Sequence, residues 1–126
     1  MKLLKCSHCG NVVDMIYESG VPVVCCGEKM EELVANTTEA ATEKHIPVLS
    51  VDGDVLTVKV GEVPHPMIKE HYITTIIVVL GNKVFRAHLS PEEAPEACFA
   101  LGEYKGKVEV YEYCNIHGLW KAEIDV

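Results

Sequence analysis

The sequence predicts a mainly β protein with two domains, a small metal-stapled domain over residues 1–36 and a seven-stranded antiparallel β-sandwich over residues 37–126. Three observations support this prediction. The first 35 residues hold four of the six cysteines and few large apolar side chains. The polar stretch NTTEAATEK follows them as a linker would. The rest of the chain consists of alternating or β-branched runs separated by turn signals. A unit of about 35 residues is too small to fold on its hydrophobic core alone, so we expect a bound metal ion to stabilise it.

Two hairpins open the predicted sandwich. PVLSV and DVLTVKV flank the pair Asp52-Gly53, which is a strong signal for a two-residue hairpin loop. ITTIIVVL is apolar and β-branched over most of its length, as a strand buried on both faces would be, and VFRAHL resumes after Gly81-Asn82-Lys83. KVEVYEY and LWKAEIDV are two further alternating runs. About seven short strands with turns between them indicate a β-sandwich.

SPEEAPEACFAL is the one helix candidate. Ser90 suits a cap, and Glu93 would complete a capping box with it. Because Pro95 interrupts the pattern, we expect one or two helical turns at most. Cys98 in this stretch has no partner pattern and is expected to be a small core residue.

Charge and composition restrict the classes of partner. The 126-residue chain carries 11 basic and 19 acidic residues, a net charge of −8, with no cluster of Lys and Arg. Neither nucleic acid nor an anionic membrane surface is therefore an expected partner. No apolar run has the length of a signal peptide or a membrane span, so we expect a cytoplasmic protein. In a reducing compartment, six cysteines are more often metal ligands or catalytic thiols than disulfides.

The four amino-terminal cysteines have the spacing of a metal site. Cys6 and Cys9 form a C-x2-C pair, and the adjacent Cys25 and Cys26 supply two more thiolates for a tetrahedral ion. Zinc and iron both accept four thiolates. The adjacency of the second pair favours iron, because neighbouring thiolates distort the tetrahedron that zinc knuckles use. His8 lies inside the first pair and is expected on the surface.

A second group of metal-binding side chains falls at strand ends and in loops. His45 precedes the first strand, His65 lies between two prolines, His71 precedes the buried strand, and Cys114 and His117 lie between the last two strands. A rigid sandwich positions functional groups at such places. His88 shares one strand face with Arg86 and is expected to be solvated.

Cys114 and His117 admit other interpretations. One interpretation is a catalytic thiol with a nearby base, although the sequence shows no oxyanion arrangement. Another is that both are core residues near a turn. They also suit a blue-copper loop, but no methionine follows Cys114.

Taken together, these motifs resemble desulfoferrodoxin, the two-iron form of superoxide reductase, over essentially the whole chain. The C-x2-C and C-C pairs resemble its desulforedoxin-type centre, and EKHIP, HPMIKEHYI and CNIHGLWK resemble the three segments of its catalytic iron site. The resemblance implies a desulforedoxin- or rubredoxin-like first domain, an immunoglobulin-like sandwich, and two iron ions per chain without haem or flavin.

The resemblance also implies roles for single residues. One iron is bound by Cys6, Cys9, Cys25 and Cys26, and the catalytic iron by His45, His65, His71, His117 and an axial Cys114. Glu43 matches a carboxylate that ligates the ferric ion, and Lys44 matches a lysine that faces superoxide. Thr74 and Thr75 stand where the family usually has an acidic residue and a tryptophan.

The implied activity is the one-electron reduction of superoxide to hydrogen peroxide, without dioxygen release, in defence against oxidative stress. A rubredoxin-like electron donor is implied with it. The very small first domain, which depends on a metal, favours a homodimer. Two alternatives remain: an electron carrier with two metal centres and no substrate, and a zinc-bound interaction module.

Overall fold

The computed structural model describes residues 1–126, which form two compact units, Met1–Val34 and Ala35–Val126. The chain is almost entirely β, with a single four-residue helix. No helix has the length and apolar character needed to span a bilayer.

The first unit consists of five very short strands. They are β1 (Leu3–Lys5), β2 (Val12–Asp14), β3 (Val24–Cys25), β4 (Glu28–Lys29) and β5 (Glu31–Glu32). Strands β2, β1 and β5 form one small sheet, and β3 pairs with β4. Only Leu4, Cys6 and Met30 form a buried cluster, so one of the metal-site cysteines is itself part of the core.

The second unit is a sandwich of seven antiparallel strands preceded by the short helix α1. Its elements are α1 (Thr42–His45), β6 (Pro47–Asp52), β7 (Val55–Val60), β8 (Ile73–Leu80), β9 (Lys83–His88), β10 (Glu96–Ala100), β11 (Lys107–Cys114) and β12 (Gly118–Asp125). One sheet has the order β10-β7-β6 and the other β12-β11-β8-β9. The predicted mainly β architecture with a seven-stranded sandwich is confirmed.

Alternating side chains of the two sheets build the sandwich core. Leu56, Val58 and Val60 of β7 belong to the same buried cluster as Val108 and Val110 of β11. In β8 the consecutive residues Ile76, Ile77 and Val78 are all buried, as predicted for this strand. Because β8 lies between β11 and β9, both of its edges are also hydrogen bonded.

Both predicted hairpins form, the first with its loop one residue later than expected. Asp52 pairs with Val55, so the two loop residues are Gly53 and Asp54. Gly53 has φ 63°, and a positive φ at the first loop position suits glycine in the tight turns that match strand twist. In the second hairpin Leu80 pairs with Lys83 across Gly81-Asn82.

The predicted helix in SPEEAPEACFAL is wrong. The Glu93 side chain accepts a hydrogen bond from the Ser90 N–H, as in a capping box, but Glu92 has φ 76° and stops the turn. Residues 96–100 form β10, which pairs with β7 and packs Ala97 and Phe99 against the core. Pairing with β7 therefore outweighs the weak helical signal.

Two single-residue expectations in this region have opposite outcomes. Cys98 is exposed on β10, with Sγ 3.6 Å from Oγ1 of Thr57, so the prediction of a core residue is wrong. Its position alternates with those of Ala97 and Phe99, which face the core. His88 is exposed, as expected.

Candidate metal centres

The four amino-terminal cysteines form one cluster whose sulfur atoms all lie within 4.8 Å of one another. Cys6 follows β1, and Cys25 ends β3. Cys26 and Gly27 form the two-residue loop between β3 and β4, and both have positive φ, 53° and 76°. This tight turn explains how two adjacent cysteines can direct their thiols to one point, although successive strand residues normally face opposite sides.

The hydrogen bonds and pKa values of this cluster fit a bound cation. Amide N–H groups of Cys9 and Asn11 lie 3.5 Å from the sulfurs of Cys6 and Cys9, respectively. The first of these bonds is the main cause that lowers the pKa of Cys6 to about 6. Hydrogen bonding to the Cys9 sulfur raises the pKa of Cys26 to about 12, because the Cys26 thiol proton is held between neighbouring sulfurs. A positive ion at the centre would take the place of that proton.

The second cluster brings together five side chains that are far apart in the sequence. Its members are His45, His65, His71, Cys114 and His117, and their ligand atoms also lie within 4.8 Å of one another. The elements that position them are the end of α1, the loop before β8, the end of β11 and the residue before β12. All five residues that the sequence pointed to therefore meet at one place in the sandwich.

The four imidazole rings form a closed cycle. In the order His45, His65, His71, His117 and back to His45, neighbouring ring centroids are 4.7, 4.7, 5.0 and 4.9 Å apart. Neighbouring rings are inclined by 73 to 89°. Each ring thus presents an edge to the centre, which is the arrangement needed for nitrogen ligands around one ion.

Backbone carbonyls determine which nitrogen of two rings carries the proton. Nδ1 of His45 lies 2.8 Å from the carbonyl oxygen of Ala41, and Nδ1 of His65 lies 2.7 Å from that of Pro66. A carbonyl only accepts, so in the neutral rings Nδ1 is protonated and Nε2 presents a lone pair. These two Nε2 atoms are 3.1 Å apart. Two facing lone pairs at this distance repel one another, and a cation bound by both nitrogens would relieve this repulsion.

Two further observations support a cation at the same point. Nε2 of His71 is buried without any hydrogen-bond partner, and Nδ1 of His117 lies 3.1 Å from Nε2 of His45. Burial lowers the pKa of His65 to about 4 and also lowers that of His45. At neutral pH these rings are therefore uncharged, which is the state that binds a metal.

Cys114 is completely buried, and burial raises the pKa of its thiol. Its sulfur accepts a hydrogen bond of 3.3 Å from the His117 N–H. Glu112, two residues earlier on β11, is also fully buried, and its carboxyl group has no hydrogen-bond partner. Burial raises the pKa of Glu112 to about 9, so the carboxyl is protonated at neutral pH.

Trp120 is a residue of this site whose role the sequence did not reveal. Its ring stacks on His45 with centroids 4.8 Å apart and an interplanar angle of 23°. Its Nε1–H donates to the carbonyl oxygen of His117 at 3.1 Å. Trp120 therefore contacts the imidazole of His45 and the backbone of His117. The only signal in the sequence was that the single tryptophan lies three residues after His117.

Glu43 and Lys44 are exposed on α1, next to His45, and neither belongs to the cluster of ligand atoms. Burial lowers the pKa of His71, and the charge of Lys44 adds to this effect. Lys44 therefore acts electrostatically on the cluster. Thr74 and Thr75 lie outside it: their hydroxyl oxygens are 3.2 Å apart, and that of Thr74 donates to the Tyr113 carbonyl.

Comparison with known proteins gives a consistent result. The family model for desulfoferrodoxin matches residues 37–123. A desulfoferrodoxin of Syntrophotalea carbinolica is 46% identical over 123 residues, covering 98% of this chain and 96% of the relative. A superoxide reductase of Pyrococcus abyssi is 36% identical over 101 residues, covering 67% of this chain and 88% of the relative. The crystal structure of the superoxide reductase from Treponema pallidum matches with a TM-score of 0.77 and 36% identity, covering 97% of this chain and 99% of that one. The chain belongs to the desulfoferrodoxin family.

Proposed function

We propose that the protein is a superoxide reductase, which reduces superoxide to hydrogen peroxide with one electron and two protons and releases no dioxygen. The observation that supports the proposal is the cycle of four imidazoles together with the buried thiol of Cys114, whose ligand atoms form one cluster. The superoxide reductases among the relatives support the same activity.

The five donors of the sandwich cluster suit an iron ion. His45, His65, His71, His117 and Cys114 would hold it, and the ion would supply the electron that reduces superoxide. Trp120 and the carbonyls of Ala41 and Pro66 orient the rings, as outer partners of ligating histidines do.

The charges around this site determine how an anion reaches it. The chain has a net charge of −8, which repels superoxide at long range. The buried carboxyl of Glu112 is protonated, so it adds no negative charge close to the site. Lys44 supplies a positive charge on the exposed helix α1 and attracts the substrate within a Debye length of about 8 Å. Glu43 is proposed as the carboxylate that binds the oxidised ion and helps product to leave.

The first unit is proposed as the electron store. Cys6, Cys9, Cys25 and Cys26 would hold a second iron ion, supplied with electrons by a rubredoxin-like protein. On this proposal residues 1–36 are the electron-transfer domain and residues 37–126 the catalytic domain of a cytoplasmic homodimer.

The experiment that tests the function combines metal analysis with product counting. Two irons per chain, superoxide consumption under reducing conditions, and one hydrogen peroxide per superoxide without dioxygen would support it. Dioxygen release would instead indicate dismutation. Two irons without superoxide consumption would favour an electron carrier, and a colourless zinc protein would favour an interaction module.

A further inference from the structure

One side chain links the loop that carries His71 to the loop that carries Cys114 and His117. Oδ1 of Asn115 accepts a hydrogen bond of 2.9 Å from the Tyr72 N–H, and its Nδ2 donates one of 3.0 Å to the carbonyl oxygen of Glu70. The backbone N–H of Asn115 also donates to the Tyr72 carbonyl at 3.3 Å. Glu70 and Tyr72 are the two neighbours of His71. The amide of Asn115 therefore binds the backbone on both sides of this histidine.

The ring of His71 lacks the carbonyl partner that orients two of the other rings. Carbonyl groups orient His45 and His65 through Nδ1, whereas Nε2 of His71 is buried without a hydrogen-bond partner. The backbone of His71 makes two hydrogen bonds, of 3.0 and 3.1 Å, to that of Ile68. These bonds close a local turn but do not connect it to the rest of the cluster. The position of the His71 ring thus depends on where its backbone is held.

We infer that Asn115 is a positioning residue for the histidine and cysteine cluster: its side-chain amide sets the place of His71 relative to Cys114 and His117. The inference rests on the proposed function only in requiring that the cluster binds a metal ion. Both halves of the amide have the partner that their chemistry demands, a donor for Oδ1 and an acceptor for Nδ2. Residues that orient ligands in this way typically contribute a factor of about 10 to 100 to metal affinity.

The chain offers a control at the opposite end of β11. The Tyr104 hydroxyl donates a hydrogen bond of 2.7 Å to the carbonyl oxygen of Lys107. Lys107 begins β11, whereas Cys114 ends it. Tyr104→Phe removes this hydrogen bond and keeps the aromatic ring, so it is the suitable comparison.

The test measures Co²⁺ binding to the full-length, metal-depleted chain. The variants are Asn115→Leu, which loses both side-chain bonds, and Asn115→Asp, which keeps an acceptor for Tyr72 but places an oxygen against the Glu70 carbonyl. The dissociation constant is obtained by competition with a chelator, and Cys114→Ser identifies the thiolate-to-cobalt absorption that belongs to this cluster. The four-cysteine cluster of the same chain is the internal reference. Thermal unfolding of each metal-free variant reports the loss of stability separately.

We expect Asn115→Leu to weaken Co²⁺ binding at the histidine cluster by about 10- to 100-fold, and Asn115→Asp to weaken it less. Tyr104→Phe should leave this affinity unchanged while lowering the unfolding temperature. Equal losses of affinity in Tyr104→Phe and Asn115→Leu, or unchanged affinity in Asn115→Leu, would overturn the inference. A wild-type chain without Co²⁺ binding at Cys114 would overturn both proposals, whereas Co²⁺ binding without superoxide consumption by the iron-loaded protein would contradict the proposed function alone.

Discussion

The two clusters differ in what holds their side chains in place. In the first unit Cys9 and Cys26 are exposed, and the buried core contains only three residues, one of which is Cys6. In the sandwich, His45, His65 and Cys114 are buried, and the core cluster contains eleven buried residues. We therefore expect the first unit to need a bound metal ion in order to fold, and the sandwich to fold without one.

The largest effect is expected from removing a thiolate of the first cluster. Cys9→Ser should abolish metal binding there and unfold residues 1–34, because this unit is too small to fold without a staple. Hydrogen exchange should then show loss of protection in β1–β5 while β6–β12 remain protected. Retained protection in the first unit would show that its small core suffices, and the contrast between the two clusters would disappear.

Removing a ligand of the second cluster should have a different result. His65→Ala should empty the histidine cluster of metal but leave the sandwich folded, because its core consists almost entirely of aliphatic side chains from β7, β8 and β11. Metal analysis and circular dichroism of the same sample would measure both outcomes. Unfolding of the sandwich together with metal loss would contradict the expectation that this unit folds without a metal.

The third prediction concerns the backbone that carries the ligands. Gly61 has φ +83°, and a Cβ there would lie 2.6 Å from the carbonyl oxygens of Lys44 and Val63. Gly61→Ala should therefore push α1 away from the sandwich and lower the free energy of unfolding by about 2 kcal/mol or more. Gly53→Ala is the control, because φ is +63° but no atom lies within 4 Å of its Cβ. Equal destabilisation, measured by urea denaturation, would mean that only the backbone conformation matters.

A smaller effect is expected on substrate encounter. Lys44→Ala should slow the second-order reaction with superoxide by up to about tenfold at low ionic strength, and by less as salt is added. Lys83→Ala removes the same charge from the hairpin at the opposite end of β8 and should leave the rate nearly unchanged. Equal rates for wild type and Lys44→Ala, measured by pulse radiolysis at low salt, would show that Lys44 does not attract superoxide.

The smallest effect is expected in the pH dependence of the metal-free chain. The pKa of His65 is lowered from 6.5 to about 4 by burial, so between these values the unfolded chain binds more protons than the folded one. Stability is then fully present above pH 6.5 and falls as the pH decreases towards 4. Urea denaturation at several pH values should show this slope, and His65→Leu should reduce it. An identical slope in the variant would assign the effect to other groups.

Much of this molecule followed from local patterns in the sequence. Alternation and β-branched runs indicated six of the seven sandwich strands, because a strand has a period of two wherever it packs. Cysteine spacing grouped Cys6, Cys9, Cys25 and Cys26, which meet in the structure. Family motifs grouped the five residues of the second cluster, which also meet. The assignment of these nine residues as iron ligands, and of residues 1–36 and 37–126 as functional domains, stays a prediction.

Other features depend on contacts between distant segments and were decided by the tertiary structure alone. Residues 96–100 became a strand because β7 had a free edge to pair with, which no local propensity encodes. The stacking of Trp120 on His45 and the bonds of Asn115 around His71 join residues more than 40 positions apart. Sequence determines which side chains are available to bind a metal. Their orientation depends on packing and hydrogen bonds that exist only once the sandwich has closed.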